Sequence, residues 1–170
     1  MAALLVLATS AYSSPAQGII ASGVVSGSGS GPYTYSLSFS DGAGATSSIG
    51  YIWYAWTPGN FYLPSAPSSP VAPSGWTANV SGNSVQFSAN SSANYITAGS
   101  TLSGFSYQAS FTPSQLATQP NGGLSVAYAA GVFSSPSENF TVSGPAVPEP
   151  STLTLALCCA AGLLPRLRKR

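Results

Sequence analysis

Apolar and polar residues alternate with a period of two through much of the chain, which is the pattern of strands with one buried face. Over residues 33–40, aromatic and aliphatic side chains take the odd positions, and hydroxyl side chains take the even ones. The same alternation recurs over residues 84–88, 105–111 and 124–132. Turn sequences such as Asp41-Gly42 and Pro58-Gly59-Asn60 separate these runs. The pattern predicts an all-β domain.

Two other runs refine this prediction. Residues 50–56 are nearly all apolar, which predicts a central strand covered on both sides, and residues 140–142 predict a short last strand. The segment 63–73 contains four prolines, which exclude a central strand and predict an ordered loop. No segment has the periodicity of an amphipathic helix. About seven short strands over residues 18–146 indicate an antiparallel β-sandwich of immunoglobulin-like architecture.

The two ends of the chain differ from this body and predict export signals. Residues 1–17 resemble the apolar region and cleavage zone of a signal peptide, with small residues at Ala8 and Ser10 or at Ser14 and Ala16. The usual basic region is missing, which we interpret as a start assigned too far downstream. The alternative is a first core strand. Cys158 and Cys159 are adjacent, which disfavours a disulfide between them, so the body is expected to fold without one.

Residues 147–170 have three parts in a fixed order: a proline motif at 148–150, an apolar span over 151–167 and a basic end over 166–170. The span predicts a C-terminal hydrophobic helix of roughly 25 Å, at the short limit for crossing a membrane. All four cations of the chain lie in the basic end that overlaps and follows this span, which predicts a cytoplasmic stop and an external body. The four are Arg166, Arg168, Lys169 and Arg170.

This tail resembles the PEP-CTERM sorting signal in the sequence Val147, Pro148, Glu149, Pro150 and Ser151 and in the span and basic end that follow. The resemblance implies export in a Gram-negative bacterium and a transient inner-membrane anchor. It further implies cleavage by an exosortase-type membrane protease, release to the cell surface or outside the cell, and association with exopolysaccharide or biofilm. The alternatives are a chance proline-rich linker before a permanent anchor and, less well supported, a sortase signal.

Parts of the body resemble ectodomains that recur among PEP-CTERM proteins. The resemblance lies in residues 53–59, 74–76 and 102–105, and these ectodomains have no assigned biochemical activity that could be carried over to this chain. The body carries only two charges, Asp41 and Glu138, so it cannot form the basic surface that nucleic-acid binding requires. The sequence therefore predicts an exported, non-enzymatic surface or matrix protein.

Candidate chemistry in the body is sparse. Without His, Lys, Arg or Cys, it can form neither a Ser-His-Asp site nor a His or Cys metal site, and no cofactor is expected. Asp41 and Glu138 are the only carboxylate pair for glycoside hydrolysis, and turn or capping roles are the expected ones. Asp41 with neighbouring hydroxyls would bind Ca²⁺ weakly at best.

The alternative function is a carbohydrate-binding module, since aromatic faces stack on sugar rings. The candidates are Tyr51, Trp53, Tyr54, Trp56 and Trp76, and their competing role is filling the core. Trp76 follows Gly75 and the proline-rich segment, so it is the aromatic residue predicted to be exposed and the possible sugar contact.

Overall fold

The chain forms one large mixed sheet and a small hairpin. A computed structural model describes residues 18–119 and 123–145. Within them, eleven strands, one 3-10 turn and one short α-helix follow one another. Their order is β1 (Ala21–Ser28), β2 (Tyr33–Asp41), β3 (Tyr51–Tyr54), β4 (Trp56–Thr57), β5 (Asn60–Phe61), β6 (Ser68–Val71), β7 (Trp76–Val80), β8 (Val85–Ala89), the 3-10 turn (Ser92–Asn94), β9 (Thr101–Ala109), α1 (Pro113–Ala117), β10 (Leu124–Tyr128) and β11 (Ser137–Ser143). The prediction of an all-β domain is confirmed.

The large sheet has nine strands in the order β6-β9-β2-β1-β11-β10-β3-β8-β7, and β4 pairs with β5 outside it. Its two edge strands, β6 and β7, lie close together, so the sheet is nearly closed on itself. Neighbouring strands are antiparallel except β1 and β11, which are parallel. The expectation of a purely antiparallel arrangement is therefore wrong at this one junction.

The inner face of the sheet is an aromatic core. Phe39, Phe87 and Phe105 pack at ring-centroid distances of 4.9–5.9 Å. Beside them Tyr35 stacks on Tyr107 at 5.0 Å. The hydroxyl of Tyr35 donates to the Phe111 carbonyl at 2.7 Å, so this buried polar group has a partner. The alternating runs predict these buried positions correctly because each strand of this region has one apolar face.

Two local predictions need correction. Residues 63–73 are not wholly a loop, because β6 lies within them and pairs at the edge of the sheet with β9. An edge strand tolerates proline because one side of its backbone needs no partner. The helix α1 is also present. It begins at a capping box in which the Thr112 hydroxyl accepts the backbone N–H of Gln115. Pro113 lies in the first turn.

Candidate functional site

Trp76 lies in the core, so the prediction that it is exposed is wrong. Its side chain is 5% exposed and packs edge-to-face on Phe105 at 5.3 Å. The indole N–H donates to the Asn94 carbonyl at 2.8 Å. Gly75 has a φ of +83°, and this turn directs the next residue inward after the proline-rich segment. A sugar ring has no access to the indole face here.

The two carboxylates of the body both hold the start of β1. Asp41 accepts the backbone N–H of Ile20 at 3.0 Å, and Glu138 accepts that of Ala21 at 2.6 Å. These two backbone amides are consecutive. Asp41 on β2 and Glu138 on β11 therefore bind the start of β1 from its two neighbouring strands. Residues 18–119 and 123–145 contain no group of three or more metal-ligating side chains.

Asp41 is unusual because it is 1% exposed and its Oδ2 has no hydrogen-bond partner among the described residues. Burial raises the pKa of this carboxyl, and hydrogen bonds from the Ile20 and Gly42 amides oppose the shift. The side chain is closed off from solvent by the surrounding described residues. Its geometry is that of a structural anchor for β1.

A second aromatic cluster covers the outer face of β3 and β10. Its central pair is Trp53 and Trp56, whose rings stack at 3.6 Å with an interplanar angle of 9°. The Trp53 indole donates to the Ser84 hydroxyl at 2.8 Å. We call this set the outer aromatic cluster; it consists of Tyr51, Trp53, Trp56, Val126 and Tyr128.

The stacked pair depends on the backbone at Ala55. Residues three apart point to opposite faces of a regular strand, so Trp53 and Trp56 would otherwise be separated. Ala55 has a φ of +56°, which interrupts the strand and turns Trp56 back to the face of Trp53. The Ser125 hydroxyl accepts the Ala55 amide at 3.0 Å and holds this conformation. The sequence does not predict this interruption of the strand. Alanine rarely adopts a left-handed backbone, so its presence at position 55 gives no sign of one.

Phe133 lies over the outer aromatic cluster and is 70% exposed. Its ring lies 6.0–6.5 Å from Tyr128, Trp56 and Trp53. Its φ is +62°, a strained value for a bulky residue, in a turn closed by the Ser134 amide donating to the Gly131 carbonyl. Phe61, opposite Trp56 in the β4–β5 hairpin, is also 50% exposed. Sequence reasoning missed both phenylalanines because neither lies in a periodic run.

The outer face of β1, β2 and β9 has a different chemistry. Four cross-strand rows contain twelve side chains, of which eight are serines and two are threonines. We call this surface the outer hydroxyl face. The rows are Ser28-Thr34-Gln108, Ser26-Ser36-Ser106, Val24-Ser38-Ser103 and Ser22-Ser40-Thr101. No charged side chain belongs to it.

Comparison with protein families, characterised proteins and solved structures finds no match. The predicted signal peptide at 1–17 and the sorting residues lie outside the described residues. The latter are Val147, Pro148, Glu149, Pro150, Ser151, Arg166, Arg168, Lys169 and Arg170. Within 18–119 and 123–145, no helix is both long and apolar enough to span a bilayer.

Proposed function

We propose that this chain is an exported, non-enzymatic protein of the cell surface or extracellular matrix, sorted through residues 147–170. The observation that carries the proposal is the ordered tail: the motif Pro148-Glu149-Pro150, the apolar span and the basic end. Prolines fix an extended backbone before the span, which is the form a protease cleft accepts. The partners are an exosortase-type membrane protease, the inner membrane during transit and extracellular polysaccharide.

The positions of the two carboxylates in the body support a non-enzymatic role. Asp41 and Glu138 are its only acids, and both accept backbone amides at the start of β1. A glycosidase requires one carboxyl to donate a proton and another to act as base or nucleophile at an open site. The buried Asp41 side chain does not offer that arrangement.

Replacing Pro148 and Pro150 by alanine in the native host tests the sorting function. The variant should keep its tail and accumulate in the inner membrane, whereas the wild type should be found shortened near Pro148 to Ser151. Intact mass and cell fractionation give the two readouts. The matched control is Pro58→Ala, an exposed turn proline of the body. Normal localisation and a normal mature mass for the double variant would contradict the proposal.

A second candidate function is carbohydrate binding at the same location. The observation that favours it is a surface of hydroxyl and aromatic groups without cations, since glycans are recognised by hydrogen bonds and ring stacking. Trp76 does not contribute, because it is buried. This function predicts that the protein is retained on an isolated host polysaccharide. Free passage of the protein would count against it.

We also propose that the curled sheet is an immunoglobulin-like sandwich. One half is β6-β9-β2-β1 and the other is β11-β10-β3-β8-β7, and the strand pairing that joins them is the short parallel pair of β1 with β11. Antiparallel halves joined by Greek-key connections are typical of that architecture. An experimental structure with the two halves packed face to face about 10 Å apart supports the proposal. A continuous ring of paired strands contradicts it.

A further inference from the structure

The outer hydroxyl face has an unusually uniform composition. Its twelve positions hold eight serines, two threonines, Gln108 and Val24, and no charge. The side chains of the two central rows form no hydrogen bond with other described residues. Each hydroxyl can both donate and accept, so every position can match either kind of group on a partner.

A shallow, open groove of about 380 Å³ crosses this face, lined by Val24, Ser26, Ser36, Ser38, Ser103 and Ser106 among others. It lies at a β-bulge, where Ser103 pairs with Ser38 and Phe105 pairs with Leu37, leaving Gly104 as the extra residue. Gly104 has a φ of +97°, which only glycine adopts easily. Bulges of this kind redirect side chains next to binding sites.

The distance between neighbouring strands, and so between neighbouring hydroxyl groups within a row, indicates the shape of the partner. Neighbouring strands of a sheet lie about 4.8 Å apart, which is comparable to the length of one pyranose unit in an extended chain. A glycan running across the strands would therefore meet a new hydroxyl with nearly every sugar. In the row Ser26-Ser36-Ser106, three successive strands each supply a serine.

The absence of charge on this face selects among polymers. An anionic polysaccharide, a nucleic acid or an acidic membrane would be recognised by cations, and no Lys, Arg or His occurs in residues 18–145. The polar groups of a neutral glycan are hydroxyl and ether oxygens, which serine and threonine hydroxyls can bond without a charge. Each such bond contributes little because it displaces water, so binding depends on several hydroxyl groups acting on one polymer.

We propose that the outer hydroxyl face binds an extended neutral polysaccharide, which lies in the groove across β1, β2 and β9. The proposal rests on the proposed matrix function, because it names the partner that this function requires. It assigns the contact to serine rows and not to Trp76 or to the outer aromatic cluster.

The test is binding of the full-length chain, in a polyoxyethylene detergent that carries no sugar, to an array of neutral linear oligosaccharides with alginate as the anionic comparison. The variant S26A/S36A/S106A should lose about tenfold or more in affinity. The matched control S92A/S114A/S137A removes three exposed serines elsewhere and should stay within about twofold of wild type. Circular dichroism on both variants verifies folding.

Three results would overturn the inference: no binding to any neutral glycan, equal losses in the two triple variants, or a preference for alginate. Loss of binding in Phe133→Ala with retention in S26A/S36A/S106A would also overturn it, since the sugar would then lie on the outer aromatic cluster. The array does not depend on sorting. A failed localisation experiment with the proline variant would therefore remove the proposed function and leave the binding result standing.

Discussion

Strands β2 and β3 lie in the same sheet and have different outer faces. On β2 the inner face holds Tyr35, Leu37 and Phe39, and the outer face holds only hydroxyl residues. On β3 all four residues are buried, because the β4–β5 hairpin and the turn containing Phe133 cover the outer side. The comparison teaches that the sheet has a single core at β2, whereas at β3 and β10 it has a core on each side.

The first way to break this comparison is to remove the centre of the outer aromatic cluster. Trp53→Ala should lower the free energy of unfolding by about 3–5 kcal/mol, the cost of truncating a buried aromatic residue. Urea unfolding gives the value. Trp53→Phe keeps a ring against Trp56 but loses the bond to Ser84, so it should cost less. A loss below about 1 kcal/mol for the alanine variant would mean that this cluster is no second core.

The second prediction concerns Asp41, which binds the start of β1, the strand that pairs with the other half of the sheet. Burial raises the pKa of Asp41 above its usual 3.8, so the folded state favours the protonated acid. The contribution of Asp41 to the free energy of unfolding should therefore be fully present below pH 3.8 and be lost as the pH rises through the raised pKa, by at most about 1.4 kcal/mol per pH unit. Asp41→Asn should abolish this decrease.

Unfolding of wild type and Asp41→Asn at a series of pH values gives the comparison, because all other carboxyl groups are common to both proteins. An identical pH dependence in the two proteins would show that Asp41 does not couple its protonation to folding. Such a result would leave the anchoring bond to Ile20 without an electrostatic consequence.

The third prediction sharpens the contrast at Phe133. Its φ of +62° favours glycine over any residue with a Cβ, so Phe133→Gly should be more stable than Phe133→Ala by about 1 kcal/mol. This is the reverse of the usual order of the two residues in regular structure. Thermal unfolding measures the difference, and the usual order would mean that the turn relaxes to a normal backbone.

The smallest effect is expected on the other outer face. Ser36→Ala should change the free energy of unfolding by less than about 0.5 kcal/mol, because the side chain is exposed and forms no bond to the described residues. Urea unfolding again provides the measurement. A loss as large as that of Trp53→Ala would show that the hydroxyl face is structural and would remove the contrast between the two halves.

The same contrast explains which parts of the fold could be predicted. Alternation identifies the buried positions of β2, β8 and β9 because one side of each strand is apolar and the other faces solvent. It gives no signal for the parallel pairing of β1 with β11 or for the edge strand β6, since pairing partners are far apart in sequence. The helix α1 had a readable signal, the capping box at Thr112 and Gln115, within a segment too short for periodicity.

For the candidate sites, a single sequence distinguishes residue types but not their exposure. Trp53, Trp56 and Trp76 are the same residue type, and no charged residue lies near any of them in the sequence. Only the positive φ of Ala55 brings the first two together on the outer face, and only the turn at Gly75 places Trp76 in the core. The serine rows follow directly from alternation, yet their alignment across three strands depends on register.

By itself, the sequence determined the all-β class, the inner faces of the alternating strands and the scarcity of charge, because these follow from composition and from the two-residue repeat of a strand. It also contains the tail motif on which the proposed sorting depends. Tertiary structure alone decided which carboxylates bind the start of β1, which aromatic residues share a face and which serines form rows. Those relations join residues that are distant along the chain, and local patterns do not encode the contacts between them.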